Sequence, residues 1–261
     1  MLDVQGLGIQ FGGVRALDDV SFRTEKRQIL SVIGPNGAGK TTLFNLVSGL
    51  YRPRVGRVLL GGSDVTGAPA HVLARRGLSR TFQNLQVFFH MTAVENVMVG
   101  CHLHERKGVL GHMLGLPSIR RQNAETRTVS LRHLRDLGLE RYADTPAGSM
   151  PYGALKRLEI ARALAAKPSV LLLDEPAAGC NPSETDELDD IIRAIAVSGV
   201  SVVLVEHDIG LVMNISDRIL VLNYGRKLAE GRPEEIQANA AVIEAYLGGP
   251  HGVEQDHVVS A

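Results

Sequence analysis

Two separated segments of this chain carry residue types that together suit phosphate chemistry. The first, Gly34-Pro35-Asn36-Gly37-Ala38-Gly39-Lys40-Thr41, fits GxxxxGK[ST] at every fixed position. Its glycines let the backbone wrap so that N–H groups face a polyphosphate. A helix beginning at Lys40 adds the positive end of its dipole. Lys40 then reaches the β- and γ-phosphates, and the Thr41 hydroxyl can hold Mg²⁺. The second segment is Val170–Leu173, an apolar strand that delivers Asp174 and Glu175 to its C-terminal end. Asp174 suits a Mg²⁺ site, reached through water, and Glu175 can polarise an attacking water. The bland alternatives are a chance glycine turn and a pair of cap acids after a strand. The context of the loop, strand before and helix after, weighs against both.

Other residues are less specific. His207 ends a further apolar strand, at the edge where open α/β sheets bind ligands, and a γ-phosphate contact competes with a structural role. Gln83 lies in Arg80-Thr-Phe-Gln83-Asn84, where the chain leaves the core, and alone says little. Phe11 precedes Gly12-Gly13, so it is placed either to stack on adenine or to pack in the core. Leu85, Val87, Phe88 and Phe89 read as core packing or as a partner-docking patch. Cys101, His102, His104 and His112 resemble a metal cluster only loosely, and no second ligand pair completes it.

The elements that must position these residues alternate. Residues 2–33 read as short strands and turns, with Ile29–Ile33 a buried parallel strand ending at the phosphate loop. A helix is expected over Lys40–Leu50, a strand at Val58–Leu60 before Gly61-Gly62, a short helix at Ala70–Arg76, and an extended segment at Leu78–Phe82. Residues 92–148 look helical, broken by Gly108, Gly111, Gly115 and Pro117, with a polar helix Ser118–Leu137 stopped by Gly138. A small glycine turn around Gly153 precedes helix Ala154–Ala166 and the strand Val170–Leu173. Asn181 caps the next helix with Pro182 at its first position, and Leu188, Ile191, Ile192 and Ile195 mark its buried face. Ser201–Val205 is a strand, and Ile219–Leu222 with Lys227–Ala229 a closing hairpin. This is an α/β core with an inserted helical subdomain.

Composition bounds the rest. The chain has 261 residues, 44% of them hydrophobic, and a formal net charge of zero, so no basic field for nucleic acid exists. Arg120–Arg121 and Arg132–Arg135 read as a solvated helix face. Cys101 and Cys180 form no disulfide framework. No apolar run approaches the roughly 18 residues that span a bilayer, and the start lacks a signal-peptide pattern. A cytoplasmic protein is expected, with any membrane role exerted through a partner.

Together the quoted segments resemble the ATP-binding subunits of ABC transporters over nearly the whole chain. Phosphate loop, Gln83, Asp174-Glu175-Pro176 and His207 stand in that family's order. Arg80-Thr-Phe-Gln-Asn, Tyr152-Gly153, Arg157-Leu-Glu-Ile-Ala-Arg162, Asn181-Pro182 and Glu244-Ala-Tyr-Leu-Gly248 look like its branched-chain amino acid importer subgroup. The resemblance implies a P-loop NTPase (RecA-like) core with an antiparallel β subdomain and a helical subdomain at about 84–167. One domain then fills 1–250, and 251–261 form a disordered tail.

The resemblance also implies ATP and Mg²⁺ as cofactors. Glu175, His207 and Gln83 act in catalysis; Phe11, Gly34, Pro35, Asn36, Gly37, Ala38, Gly39, Lys40, Thr41 and Thr42 bind nucleotide; Thr41, Gln83 and Asp174 serve the metal. Pro151, Tyr152 and Gly153 face the nucleotide of a second ATP-binding subunit, usually a different chain, although a homodimer is allowed. The expected partners are membrane permeases and, indirectly, a periplasmic binding protein, with this subunit peripheral on the inner face of the membrane. Urea, amide or other amino-acid import and a non-transport ABC ATPase are the alternatives; the Asn-Lys-x-Asp motif of a GTPase is absent. Two departures stand out. The family's Leu-Ser-Gly-Gly-Gln is here Met150-Pro151-Tyr152-Gly153-Ala154, and Cys180 replaces a customary leucine.

Overall fold

The computed structural model describes residues 1–104 and 117–247. Gly108, Gly111, Gly115, His112 and the tail 251–261 lie outside the described residues. The chain opens with a hairpin of β1 (Leu2–Phe11) and β2 (Val14–Arg23), turned by Gly12-Gly13 with Gly12 at φ 54°. With β4 (Val55–Leu60) and β5 (Ser63–Asp64) these strands form an antiparallel sheet in the order β2-β1-β4-β5.

The second sheet has the order β10-β9-β3-β8-β7-β6. It comprises β3 (Ile29–Ile33), β6 (Leu78–Arg80), β7 (Val170–Asp174), β8 (Ser201–Val205), β9 (Arg218–Asn223) and β10 (Arg226–Gly231). All pairings are parallel except β10 with β9. Although β3, β7 and β8 read as runs, their side chains alternate between two cores. Ile29, Leu171, Leu173, Val202 and Leu204 face one. Leu30, Val32, Leu172, Val203 and Val205 face the other, toward the antiparallel sheet.

Helix α1 (Lys40–Val47) is shorter than expected from sequence. Gly49, at φ 74°, ends it: the Leu50 N–H donates to Asn45 O and the Gly49 N–H to Leu46 O, a glycine C-cap. After α2 (Ala70–Arg75) and β6 come α3 (Ala93–Cys101), started by the Thr92–Glu95 capping box, and α4 (Pro117–Asp136). Gly138 stops α4 as expected: Leu139 N–H donates to Leu134 O and Gly138 N–H to Arg135 O.

Helix α5 (Tyr152–Ala165) starts two residues early, so Gly153 sits in its first turn and not in a glycine turn before it. Pro151 presets the entry, and a Cβ on Gly153 would lie 2.3 Å from Glu184 Oε1. That Glu184 belongs to the capping box of α6 (Pro182–Val197), begun by Asn181 and Pro182 as the sequence implies. Leu188, Ile192 and Ile195 are buried along α6, while Ile191 is half-buried. Helices α7 (Ile209–Ile215), α8 (Pro233–Gln237) and α9 (Ala240–Leu247) complete the chain. No helix among the described residues is long and apolar enough to cross a membrane.

Candidate active site

Strands β3, β8, β7 and β6 are neighbours and parallel, so their C-terminal ends emerge on one edge. The phosphate loop leaves β3 there. A Cβ on Gly34 would fall 2.2 Å from Leu222 O, and one on Gly39 would fall 2.9 Å from Ala16 O with φ at 103°. Only glycine fits either place. The hairpin tip between β9 and β10 props the loop, the Gly225 N–H donating to Ala38 O at 3.0 Å. Helix α1 begins at Lys40 with no side-chain cap, so its first amides are left for a ligand in the direction of the loop. Lys40 Nζ donates to Gly34 O at 2.6 Å and to Pro35 O at 3.2 Å. Burial lowers the Lys40 pKa, and the nearby Glu175 and Asp174 charges oppose that shift. Thr41 is exposed and Thr42 half-buried beside it. Asn36 and Gly37 are exposed, while Ala38 is buried beneath the loop.

The carboxylates stand at the end of β7. Asp174 is buried, and its Oδ2 accepts from Arg80 Nη2 at 2.7 Å. Arg80 also donates through Nη1 to Asn45 Oδ1 at 2.8 Å and to Ser48 Oγ at 2.7 Å, and lies against the rings of Phe44 and Phe82. The Asp174 carboxylate is thereby fixed against α1. Glu175 adopts a left-handed backbone with φ 48°. Its N–H donates to Val205 O at 2.9 Å, and its Oε2 accepts from Gln83 Nε2 at 2.9 Å. His207, largely exposed, brings Nδ1 to 4.0 Å from that same Oε2 and to 3.7 Å from Glu206 Oε2. Glu206 is buried, which raises its pKa; its carboxylate accepts the Ala177 and His207 N–H groups.

A glycine-bound loop of outward amides with one lysine suits a polyphosphate. Hydroxyl and carboxylate oxygens such as those of Thr41 and Asp174 suit a hard divalent cation. The donor set therefore fits a nucleotide with Mg²⁺, and a carboxylate such as Glu175 can accept a proton from water.

Residues 17–178 match the family model described as ABC transporter, and residues 226–252 match one described as branched-chain amino acid ATP-binding cassette transporter. The chain is 46% identical, over 95% of its length and 98% of the relative's, to the high-affinity branched-chain amino acid transport ATP-binding protein BraF of Pseudomonas aeruginosa. It is 44% identical, over 95% and 98%, to LivG of Escherichia coli, a protein of the same description. A nucleotide-free ATP-binding cassette from an ABC transporter superposes with a TM-score of 0.83 at 30% identity, covering 95% of this chain and 99% of the other.

The chain belongs to the ABC transporter family. It is an ATP-binding cassette, the ATP-hydrolysing subunit of a transporter. In this cassette Lys40, Asp174, Glu175, Gln83 and His207 meet at one sheet edge. Phe11 ends β1, 46% exposed, with its ring edge-on to Tyr51 at 5.3 Å between centroids. Pro151, Tyr152 and Gly153 stand apart, at the N-terminus of α5. Pro151 and Tyr152 are exposed, and Tyr152 covers Gly179, where a Cβ would meet its ring at 2.9 Å. Cys180 follows, half-buried, with burial raising its thiol pKa. The apolar stretch after Gln83 divides: Val87 is buried and Leu85 packs on the core, whereas Phe88 and Phe89 are each 47% exposed.

Sequence reasoning passed over three groups at the site. Arg80 was legible only as part of a motif, although a charged residue closing a buried strand beside β7 is a signal. Glu206 and Lys156 left no signal, because their burial arises from contacts between distant segments.

Proposed function

We propose that this cassette powers an importer of branched-chain amino acids, binding ATP on residues 34–42 and hydrolysing it with Glu175. The observation that carries the site reading is the convergence of Lys40, Asp174, Glu175, Gln83 and His207 on one edge of the parallel sheet. The solute reading rests on the relatives so described, 44–46% identical across 95% of the chain, and on the C-terminal match at 226–252.

In this reading the loop amides and Lys40 hold the phosphates, and Phe11 with Tyr51 offers an aromatic surface to the base. Thr41 and Asp174, with Gln83, hold Mg²⁺, which when bound neutralises phosphate charge. Glu175 accepts the proton of the attacking water, and His207 contacts the γ-phosphate. Gln83 holds the Glu175 carboxylate in place. Tyr152, Gly153 and Pro151 present the α5 N-terminus to the nucleotide of a second ATP-binding subunit, most simply a different chain.

A groove of about 360 Å³, lined by Ser48, Phe82, Phe88, Val99, Leu103 and Arg162, supports a permease contact here. A permease segment seated there places the cassette on the inner face of the membrane and lets closure of the ATPase pair move the permease. A periplasmic binding protein then delivers solute from the other side.

The test is uptake and hydrolysis by the assembled transporter in vesicles. Glu175→Gln is expected to lower ATP turnover by ~10²-fold or more while nucleotide still binds. Undiminished turnover would remove Glu175 as the base. Uptake of leucine, isoleucine and valine is expected; uptake of urea or an amide in their place would redirect the solute assignment.

A further inference from the structure

Lys156 lies on α5, and with 2% exposure it is among the most buried charged residues of the described chain. Its Nζ donates to two backbone carbonyls, Gln83 O at 3.2 Å and Glu175 O at 3.4 Å. The same ammonium stands 5.7 Å from the ring centroid of Tyr152, one helical turn before it. The buried Glu159 carboxylate, three residues on, feels its charge, but the ammonium's hydrogen bonds go to the two carbonyls, and a buried cation so placed is costly unless it organises something.

What it organises is the most constrained part of the site. Glu175 is a non-glycine residue at φ 48°, a conformation that persists only where neighbours hold it. Its N–H is held by Val205 O of β8, and its carbonyl by Lys156. Its side chain is held by Gln83 Nε2, and the backbone of Gln83 is itself held by Lys156. One ammonium therefore fixes both the residue that would take the proton and the residue that orients it. Tyr152 packs over that ammonium and over Gly179, four residues after Glu175. This stack connects the α5 N-terminus to the Glu175 carbonyl.

We propose that Lys156 is a positioning residue for Glu175 and Gln83, tying their geometry to the helix whose N-terminus is offered to the neighbouring subunit. The proposal rests on the reading of Glu175 as the base. Lys156 touches no reacting atom in it; its role is to keep Glu175 in the left-handed conformation that aims its carboxylate at Gln83 and His207.

The experiment compares Lys156→Met, Lys156→Arg and Glu175→Gln in the assembled transporter. Lys156→Met is expected to lower kcat about 10-fold or more with KM for ATP changed less than ~3-fold, and Lys156→Arg to recover most of the loss. Amide hydrogen exchange supplies a readout independent of turnover. Amides of Glu175, Ala177 and Ala178 should exchange faster in Lys156→Met, with β8 and α6 unchanged. If Lys156→Met does not fold, Lys156→Leu, which removes the donor with a smaller apolar side chain, is read in the same way. Unchanged kcat and unchanged exchange at 175–178 would overturn the proposal, as would a general loss that arginine does not rescue. Full activity of Glu175→Gln would instead overturn the base reading, while the exchange result would still report whether Lys156 positions the segment.

Discussion

The sheet edge and the N-terminus of α5 offer phosphate-binding groups by different means. At the edge, each of these side chains is held in place: Lys40 by the backbone at Gly34 O and Pro35 O, Asp174 by Arg80, Glu175 by Gln83. The strands set the backbone positions and polar partners, from the buried Arg80 to the exposed Gln83, set the rotamers. At α5, Pro151 brings no hydrogen-bonding side chain and Ala154 only a methyl group. What remains there is backbone, the free amides of the first turn, together with the exposed Tyr152. A site assembled from mutually anchored side chains should tolerate substitution poorly. A site made of helix amides should be open to improvement.

The largest expected effect breaks the ordered side. Arg80→Met removes the cation that balances Asp174 within a pair in which both side chains are 6% exposed. Stability should fall by ~3–5 kcal/mol, read by urea denaturation, because an uncompensated carboxylate stays buried. A loss under about 1 kcal/mol would mean that α1 and β7 do not depend on this pair.

A smaller effect sharpens the other side. The substitution Pro151→Ser supplies a hydroxyl at the exposed α5 N-terminus, and the buried Ala154 is left in place. If one hydrogen bond to the partner's nucleotide is gained, at about 1 kcal/mol, turnover of the assembled pair should rise roughly 5-fold. Nucleotide binding by this chain alone should not change. An equal rise in the isolated chain would place the effect on its own site and dissolve the contrast.

The smallest effect at neutral pH is at Tyr246, whose pKa is pushed up to about 12 by burial, opposed by the backbone of Gly34. Its ring packs against the apolar cluster that includes Ile33, the residue before the phosphate loop. The folded state keeps this proton where the unfolded chain, with a value of 10.0, releases it. Proton uptake is therefore greater in the folded state between pH 10 and 12, and stability declines with rising pH across that window. Tyr246→Phe should flatten the decline in a pH series of denaturation midpoints and change little at pH 7. A decline of equal slope in the variant would assign the effect to other groups.

Local signals explain what could be read in advance. The phosphate loop, the Asp174–Glu175 pair, the Gly138 stop and the Asn181-Pro182 start all depend on residues a few positions apart, so their spacing is their geometry. Helix ends were harder. α1 stops at Gly49 through two capping bonds, and α5 begins at Tyr152, so that Gly153 falls in its first turn against Glu184 of α6. Phe88 and Val87 could not be told apart by type, since the burial of each depends on which segment folds over it.

The sequence by itself determined the chemistry: which loop can cradle phosphate, which acids can hold a metal or take a proton, and which turn lacks its serine and glutamine. Tertiary structure decided which of those groups meet. Parallel pairing of β3, β8, β7 and β6 carries segments up to 173 residues apart in sequence, Gly34 and His207 among them, to one edge. Burial then turns Arg80, Lys156 and Glu206 from ordinary charged residues into partners of the site, because a charge removed from water must be answered by whatever the fold brings beside it.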